Sequence, residues 1–368
     1  MKILIGNHID PAIRDRGDLR AWTQRVLWFA RDGDAVVLSC DPDRDFLAYA
    51  TALTGTDPRS LAFFKVPQGA HGEGLIDPQC LASPGFAGQV RGVLGRERLA
   101  ATLEVFALWP SAGVSAFAGH LGIGDRFPGA GFFAQGGGEL CNSKAVFRAL
   151  AATAGVAVPE GAVCRSPREA AAAMRDLLAI RGGTVVKQAH NGAGAGNQLV
   201  VLDSSLAAGH AGARHLHQLG DDRDAVVAYW ESRWDWASAQ GRFPVVIEEL
   251  VPHVVSAYSE HYAAGTGTTP TGTGTLHYAE RRLARQAVPP RTLDDAVRAQ
   301  LLDGGARLAG TYRDVGYRGY LSADVVITLD GRPVFTEVNA QVSGSLQDRK
   351  STRLNSSHYG LSRMPSSA

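Results

Sequence analysis

Two apolar stretches near the end of the chain, separated by a turn signal, constrain the fold most. Residues 320–329 (YLSADVVITL) and 332–339 (RPVFTEVN) have the composition of β-strands, and Asp330-Gly331 between them is a typical two-residue hairpin turn. Pairing outward from that turn sets the facing side chains. The predicted pairs are Asp324 with Glu337 and Ser322 with Asn339.

The paired acids indicate a cation site. Two carboxylates about 5 Å apart repel by roughly 3 kcal/mol at an effective dielectric constant of about 20. A cation between Asp324 and Glu337 would remove this repulsion, and Asn339 adds an amide oxygen. Oxygen ligands of this kind suit Mg²⁺, which completes its coordination with phosphates and water. The alternative is a solvated hairpin whose acids face water.

Composition excludes several classes of protein. The 368 residues are 45% hydrophobic, which is enough for two or three domains, and the net charge of +1 argues against nucleic acid or an anionic membrane as the main partner. Four scattered cysteines, Cys40, Cys80, Cys141 and Cys164, predict neither disulfides nor a zinc site. The N-terminus does not look like a signal peptide, and no stretch reaches the length of a membrane span. We therefore expect a cytoplasmic protein.

Strands and helices alternate in the first third of the chain. Apolar strands are predicted at residues 2–6, 35–39, 61–66 and 103–108, and helices at 19–31, 46–53 and 114–121. This alternation favours a parallel α/β sheet. The turn after the first strand lacks GxGxxG, so no dinucleotide site is predicted there. The glycine-rich residues 127–138 are expected to form a linker at a domain boundary.

The rest of the chain changes from helices to strands. Asn142 or Ser143 is predicted to cap a helix that ends at Gly155, and Ser166 to open a second helix over residues 167–180. Strands are expected at 184–187, 198–202, 245–249 and 256–263, and a long helix at 293–314. The Thr/Gly-rich residues 265–275 lack an apolar period and are predicted to be a mobile loop.

Several residues are candidates for phosphate binding. Lys187 ends an apolar strand and is followed by a glycine-rich loop and another strand, an arrangement that can fold over a triphosphate and bind it through backbone N–H groups. No Walker motif is present. Lys144 is a second candidate cation, with a solvated lysine as the alternative. The tetrapeptide 248–251 (EELV) follows an apolar strand and can act as a hinge that hydrogen-bonds adenine.

These motifs in this order resemble the ATP-grasp superfamily. The set is NSK at 142–144, VVK at 185–187 with its glycine loop, IEELV at 247–251, SADVV at 322–326 and TEVNA at 336–340. The match covers about 142–347, and the preceding α/β segment looks like a pre-ATP-grasp domain. The nearest relatives suggested are peptide ligases of the pheganomycin type. The implied fold class is α/β and α+β, with a pre-ATP-grasp domain at 1–138 and two ATP-grasp subdomains at 139–252 and 253–347.

The resemblance implies ATP and Mg²⁺, with Mn²⁺ as an alternative metal, and assigns residue roles. The metal ligands would be Asp324, Glu337 and Asn339. The nucleotide-binding residues would be Lys144, Lys187, Asn191, Gly192, Gly194, Gly196, Asn197, Glu248, Glu249, Leu250 and Val251. A cation near the transferred phosphate would be Arg281 or Arg282.

The implied reaction is ATP-dependent amide or peptide bond formation between a small carboxylate and an amine, through an acylphosphate. Two departures from the family bear on it. Residues 252–255 (PHVV) stand where many relatives carry an acid that contacts the ribose. Ser322 or Gln341 stands where many carry a basic residue. The alternatives are a non-catalytic or truncated ATP-binding protein of the same fold and phosphotransfer to another acceptor.

Three further segments complete the sequence reading. Asp348–Ala368 resembles a translated sequencing-library adapter, and we expect it to be non-native and the natural chain to be cut near Gln347. A group of histidines is read as surface residues and not as a metal site; its members are His210, His215 and His217. An aromatic group is read as core or interface; its members are Tyr229, Trp230, Trp234 and Trp236.

Overall fold

The computed structural model describes most of the chain. The described residues are 1–8, 19–70, 72, 74–192, 194–207, 210, 212–220, 224–290 and 292–346. The adapter-like segment Asp348–Ala368 lies outside them. The described chain divides into two compact units, one built from residues 1–8, 19–127 and 343–346 and the other from residues 128–342.

The first unit contains the predicted parallel α/β sheet. Its strands are β1 (Lys2–Ile5), β2 (Ala35–Leu38), β3 (Ala62–Lys65) and β4 (Glu104–Ala107), in the order β3-β2-β1-β4. All neighbours are parallel, as the alternation of strands and helices predicts. Its α-helices are α1 (Arg20–Thr23), α2 (Arg44–Thr54), α3 (Pro78–Leu81), α4 (Pro84–Ala100) and α5 (Ala112–Leu121).

Two elements of this unit differ from the predictions. Residues 19–31 form the short helix α1 followed by a 3₁₀ helix, Gln24–Phe29, and not one amphipathic α-helix. The buried Gln24 side chain here donates to Asp41 O at 3.1 Å and accepts from Asp43 N at 2.8 Å, so this segment is bound to a loop that the periodicity did not reveal. Helix α4 was not predicted, because its glycines weaken the helical pattern; Gly95 is left-handed at φ 71°.

The glycine-rich residues at the start of the second unit form two short helices, α6 (Ala130–Ala134) and α7 (Gly137–Cys141). Each follows a left-handed glycine, Gly129 at φ 76° and Gly136 at φ 83°. The segment is therefore more ordered than the predicted linker. Glycine is required at both positions because other residues rarely adopt positive φ.

The first sheet of the second unit has the order β5-β9-β6-β7-β8. The strands are β5 (Gly161–Cys164), β6 (Gly183–Gln188), β7 (Asn197–Val201), β8 (His215–Gln218) and β9 (Val245–Glu249), and the helices are α8 (Lys144–Ala154), α9 (Pro167–Arg181) and α10 (Ala225–Ala237). Ser143 and Ser166 cap α8 and α9, and Gly155 ends α8, as predicted. The predicted aromatic core is confirmed: Tyr229 and Trp230 are buried, and Trp234 and Trp236 pack against the same cluster.

The second sheet of this unit has the order β12-β11-β10-β13-β14 and is antiparallel. Its strands are β10 (His253–Ala263), β11 (Thr268–Ala279), β12 (Arg282–Ala287), β13 (Gly319–Thr328) and β14 (Pro333–Asn339), and helix α11 (Asp295–Asp314) packs on it. The prediction of a mobile loop at residues 265–275 is wrong, since most of that stretch lies in β11. Threonine favours strands, and pairing of residues 268–275 with β10 replaces the missing apolar period.

Among the described residues, none of the helices combines the length and the apolar character that crossing a bilayer would need.

Candidate functional site

The acid pair lies on the β13–β14 hairpin with the predicted facing residues. Asp324 is paired with Glu337, and Ser322 with Asn339. Asn339 Nδ2 donates a hydrogen bond to Asp324 Oδ2 at 3.3 Å. The Glu337 side chain is 21% exposed, so the pair is accessible from one side only.

The hairpin reaches this register by a route that differs from the prediction. Thr328 N donates to Arg332 O at 3.1 Å, and Gly331, at φ 81°, closes a three-residue loop over 329–331 in place of a two-residue turn. This loop shifts the pairing by one residue, so that Val325 faces Phe335. A β-bulge at Thr336 shifts it back before Asp324. The predicted turn is therefore wrong, and two local irregularities cancel to give the predicted pairs.

The two carboxylates have opposite protonation tendencies. Burial and the neighbouring charge of Glu337 raise the pKa of Asp324 well above its ordinary value. Burial also opposes ionisation of Glu337, but the charges of Lys144 and Lys187 outweigh it and hold the pKa of Glu337 below its ordinary value. The pair thus disfavours two negative charges without a further cation. Two carboxylates and an amide on paired strands are a donor set that fits Mg²⁺.

Lys144 is placed beside the pair by helix α8. It is the first residue after the N-cap Ser143, and its backbone N–H donates to Ala189 O at 2.8 Å. The ammonium lies 3.2 Å from Glu337 Oε2 and donates to Asn191 O at 2.6 Å. Only 7% of the residue is exposed, so the alternative of a solvated lysine is wrong.

Lys187 lies in a chain of buried charges. Its ammonium is 2.5 Å from Glu248 Oε2, and it donates to the bulge carbonyl, Thr336 O, at 3.0 Å. The other Glu248 oxygen, Oε1, accepts from Arg148 Nη1 at 2.7 Å. Glu248 is 1% exposed, and the two cations compensate its burial.

The glycine loop between β6 and β7 folds back on itself. Gln188 N donates to Gly196 O at 2.8 Å, and Ala195 N donates to Gly192 O at 3.0 Å. Gly194 is left-handed at φ 70°. Asn191 Nδ2 donates to Gln188 Oε1 at 2.9 Å. Of the loop residues predicted to bind nucleotide, only Asn197 lines the cavity described below, and Ala193 lies outside the described residues.

The predicted hinge 248–251 lies at the end of β9. Glu249 does not extend toward phosphate, because its Oε2 is 2.8 Å from Arg181 Nε. Leu250 packs with Leu199 and Val201. Val251 O lies 3.0 Å from His253 Nδ1. The backbone N–H groups of Glu249 and Leu250 donate to Glu160 O at 2.8 Å and to Gly183 O at 3.3 Å. The Glu248 side chain is held by cations, and a contact between this hinge and adenine stays a prediction.

Lys187, Glu248 and the acid pair line a cavity that is open to solvent and lies between the two sheets of the second unit. Four apolar residues that line it, here called the apolar slot, come from both sheets: Val185 and Leu199 from the first, and Leu276 and Val326 from the second. Four charged residues line the same cavity, and they are Lys187, Glu248, Asp324 and Glu337. A cavity lined by both apolar and charged side chains suits a ligand that combines an apolar ring with a polyanion.

Comparisons with known proteins agree with this architecture. The pre-ATP-grasp domain family matches residues 23–123. The biotin carboxylase of Campylobacter jejuni, solved with β,γ-ATP, superposes with a TM-score of 0.59 at 16% identity over 98% of this chain and 72% of that one. The biotin carboxylase domain of a Hydrogenobacter thermophilus 2-oxoglutarate carboxylase, solved with MgADP, gives 0.58 at 13% over 99% and 70%. An ADP complex of N5-carboxyaminoimidazole ribonucleotide synthetase gives 0.56 at 12% over 94% and 70%.

Residues 23–123 match the pre-ATP-grasp domain family, and the chain shares the fold of these carboxylases and of this synthetase. The resemblance stated from the sequence motifs is thereby confirmed at the level of the fold. The search of curated proteins gives no match to this sequence. The ATP-grasp fold places the two sheets of the second unit on either side of the cavity.

Arg281 and Arg282 are not among the residues that line the ATP-grasp cavity. They lie at the β11–β12 turn, where Glu280 and Arg281 are both left-handed at φ 49° and 62°. This is the strand pair at the outer edge of the sheet. Their predicted contact with a transferred phosphate stays a prediction.

Sequence reasoning missed four residues in or next to this cavity. Arg148 could have been found, because it lies four residues after Lys144 and therefore on the same face of a helix. Tyr278 was overlooked because residues 265–275 were read as a loop, and not as the strand that positions it. Tyr278 lines the cavity, as do His210 and His253, whose ring centroids are 5.3 Å apart.

The surface reading of the histidine group is wrong for His210. Its partial burial, and then the charge of His253, lower the pKa of His210 to about 4. His215 is exposed, as expected. Within the part of the chain that the structure describes, no cluster of three or more His, Cys, Asp or Glu side chains is suited to a metal ion.

Proposed function

We propose that this chain is an ATP-dependent carboxylate–amine ligase. The observation that carries the proposal is the acid pair Asp324–Glu337, held in one cavity with Lys187 and an apolar slot. The alternative of a solvated hairpin does not explain why the acids sit beside buried lysines. The ATP-grasp fold supports the assignment of the slot to a nucleotide.

The nucleotide would lie with its base in the apolar slot and its phosphates beside Lys187, Asp324 and Glu337. Val185, Leu199 and Val326 would pack on the base, and the backbone of 249–251 would hydrogen-bond its edge. Lys144 and Lys187 would neutralise phosphate charge. Backbone N–H groups of the glycine loop, with Asn191, Gly192, Gly194, Gly196 and Asn197, would cover the phosphates.

Asp324, Glu337 and Asn339 would hold Mg²⁺, or Mn²⁺ in its place. When bound, the metal supplies positive charge to the outer phosphates. The donor types and the raised pKa of Asp324 support this assignment, because a divalent cation lets both acids ionise. Lys144, 3.2 Å from Glu337, would keep that carboxylate oriented.

The reaction would proceed in two displacements. A carboxylate oxygen of the substrate attacks the γ-phosphorus, the bond from that phosphorus to the β-phosphate oxygen breaks, and ADP leaves. The amine nitrogen then attacks the acyl carbon of the acylphosphate, the carbon–oxygen bond to phosphate breaks, and a proton from nitrogen leaves with phosphate or solvent. Positioning and charge stabilisation suffice for this chemistry, so no side-chain nucleophile is required.

Amino acids or short peptides are the proposed carboxylate and amine substrates. The sequence resemblance to peptide ligases of the pheganomycin type supports this class. Ser322 and Gln341 are uncharged, so a substrate carboxylate would be held by groups other than a basic residue at those positions.

The experiment is an ADP-release assay with Mg·ATP over a panel of amino acids and short peptides. ADP release should require both a carboxylate and an amine. Glu337→Gln should lower turnover by about a hundredfold or more, because the metal site loses a charged ligand. Glu104→Gln is the matched control: Glu104 pairs with Lys2 in the first unit, so its turnover should equal that of the unaltered protein.

The circular-dichroism spectrum of Glu337→Gln should match that of the unaltered protein, which separates loss of chemistry from loss of fold. Full turnover by a folded Glu337→Gln protein would refute the metal role.

A second candidate is a nucleotide-binding protein without catalysis. The observation in its favour is that Arg281 and Arg282 stay outside the cavity lining. Calorimetric titration with Mg·ATP would then show binding, and no acid and amine pair would release ADP. Phosphotransfer to another acceptor would instead give a stable phosphorylated product and no amide.

A further inference from the structure

Tyr278 reaches across the cavity from the second sheet. It follows Leu276 by two residues on β11, so both side chains lie on the same face of the strand, and both line the cavity. A Cβ atom built on Gly212 would lie 3.9 Å from Tyr278 Oη. The phenol therefore extends from the sheet that carries the acid pair to a loop on the opposite side.

That loop packs against the glycine loop. Gly212 O accepts from Asn197 Nδ2 at 2.9 Å, and Arg214 N donates to Gly194 O at 3.1 Å. The Tyr278 hydroxyl is thus close to the loop that supports the glycine loop, and Tyr278 lines the same cavity as the acid pair. Among the described residues, none forms a hydrogen bond with this hydroxyl, although its surroundings are polar.

The chemistry around Tyr278 keeps the hydroxyl protonated. Burial, and then the charges of Asp324 and Glu337, raise the pKa of the Tyr278 phenol. A protonated phenol can donate one hydrogen bond, and phosphate oxygens can only accept. Lys187, a cation that lines the same cavity, already contacts Glu248 and Thr336 O. A hydroxyl donor adds a contact to phosphate without adding charge.

We propose that Tyr278 is a substrate-contacting residue that donates a hydrogen bond from its hydroxyl to the outer phosphates of the nucleotide. This inference rests on the proposed function, because it requires a nucleotide in the cavity. It assigns β11 a role in substrate binding. This role was not predicted from the sequence, because the Thr/Gly-rich residues before Tyr278 were read as a loop.

The test compares Tyr278→Phe with the unaltered protein by calorimetric titration with Mg²⁺ and AMP, ADP or the non-hydrolysable β,γ-imido analogue of ATP. Phenylalanine keeps the ring against Gly212 and removes only the donor. The expected result is about tenfold or greater weakening for ADP and the ATP analogue with unchanged AMP affinity, since hydrogen bonds to charged groups are the stronger kind. Tyr49→Phe is the matched control, because Tyr49 is 44% exposed in the first unit.

The outcomes separate the two proposals. Equal affinities of Tyr278→Phe and the unaltered protein for all three nucleotides would overturn the role of Tyr278 and leave the proposed function standing. Equal weakening of AMP and ATP-analogue binding would also overturn it, because the hydroxyl would then contact a part of the nucleotide that AMP shares and not the outer phosphates. If the unaltered protein bound none of the three, the proposed function would fail, and the role of Tyr278 with it.

Discussion

Buried charges in the cavity occur with partners of opposite sign. Glu248 contacts both Lys187 and Arg148, and Lys144 contacts Glu337. Desolvation of a single charge costs several kcal/mol, so the partners are needed for these side chains to remain ionised. The same contacts leave the ammonium groups in fixed positions near the acid pair. The same ammonium groups thus stabilise the buried acids and are positioned for phosphate.

His261 is a buried group of the other kind, one that stays neutral. It is 0% exposed on β10, and its Nε2 lies 2.6 Å from Ser259 Oγ. Burial lowers the pKa of His261 to about 4 from 6.5. Below pH 6.5, His261 binds a proton in the unfolded chain but stays neutral in the folded chain. The free energy of unfolding therefore falls as the pH drops and levels off near pH 4. The expected loss between pH 7 and pH 5 is about 2 kcal/mol.

The measurement for His261 is urea unfolding at pH 7 and at pH 5 for the unaltered protein and for His261→Gln. Other histidines titrate in both proteins, so the difference between the two pH effects isolates this residue. Between pH 7 and pH 5, the free energy of unfolding of His261→Gln should fall by about 2 kcal/mol less than that of the unaltered protein. Parallel pH effects would contradict the neutral burial of His261.

Two glycines of helix α11, Gly304 and Gly305, leave room for side chains of the sheet on which the helix packs. A Cβ on Gly305 would lie 2.3 Å from Ser259 Oγ and 2.4 Å from His261 Nε2, and a Cβ on Gly304 would lie 2.6 Å from the Phe335 ring. These glycines let the helix approach the sheet that carries the acid pair. The amphipathic pattern predicted the helix, but the close approach depends on which side chains lie beneath it.

Gly305→Ala and Gly310→Ala should change stability in opposite directions. Alanine favours a helix over glycine by about 1 kcal/mol at either site. At Gly305 the clash should outweigh this gain and destabilise the protein by about 1–3 kcal/mol. At Gly310 a Cβ meets nothing within 4 Å, so a gain is expected. Chemical unfolding of both proteins checks the contrast, and stabilisation by Gly305→Ala would contradict the packing described.

Element order and capping were well predicted where the signals are local. Ser143 and Ser166 cap their helices by accepting from backbone N–H groups three residues on, and Gly155 ends α8 in the left-handed region. The prediction of a loop in the Thr/Gly-rich stretch was wrong because the strand there forms by pairing with β10, a contact that the local composition does not reveal. The hairpin turn was predicted wrongly by one residue, since the loop has three residues and the prediction had two.

The protein as a whole has a parallel α/β unit and a unit in which two sheets face one cavity. All residues proposed for the nucleotide and the metal belong to the second unit. A ligand held by both of its sheets should therefore stabilise that unit against unfolding, since binding favours the folded state by mass action.

Mg·ADP at a hundred times its Kd should raise the free energy of unfolding by about 2.7 kcal/mol. ADP at the same concentration with EDTA should give a smaller rise, because the acids then repel the phosphates. Thermal unfolding monitored by tryptophan fluorescence measures both effects. Glu337→Gln should lose the difference between the two conditions, and a difference retained in that variant would place the metal elsewhere.

The sequence by itself determined the alternation that gives the parallel sheet, the helix caps and the order of the ATP-grasp motifs. These features follow from rules that act over a few residues. The facing of Asp324 and Glu337 was predicted from a two-residue turn, and the structure reaches it through a three-residue loop and a bulge. Tertiary structure decided that Lys187 donates to Thr336 O, 149 residues away, that Arg148 shares Glu248 with Lys187, and that Tyr278 enters the cavity. Such contacts depend on how separate sheets pack, and packing is a property of the folded core that no local pattern encodes.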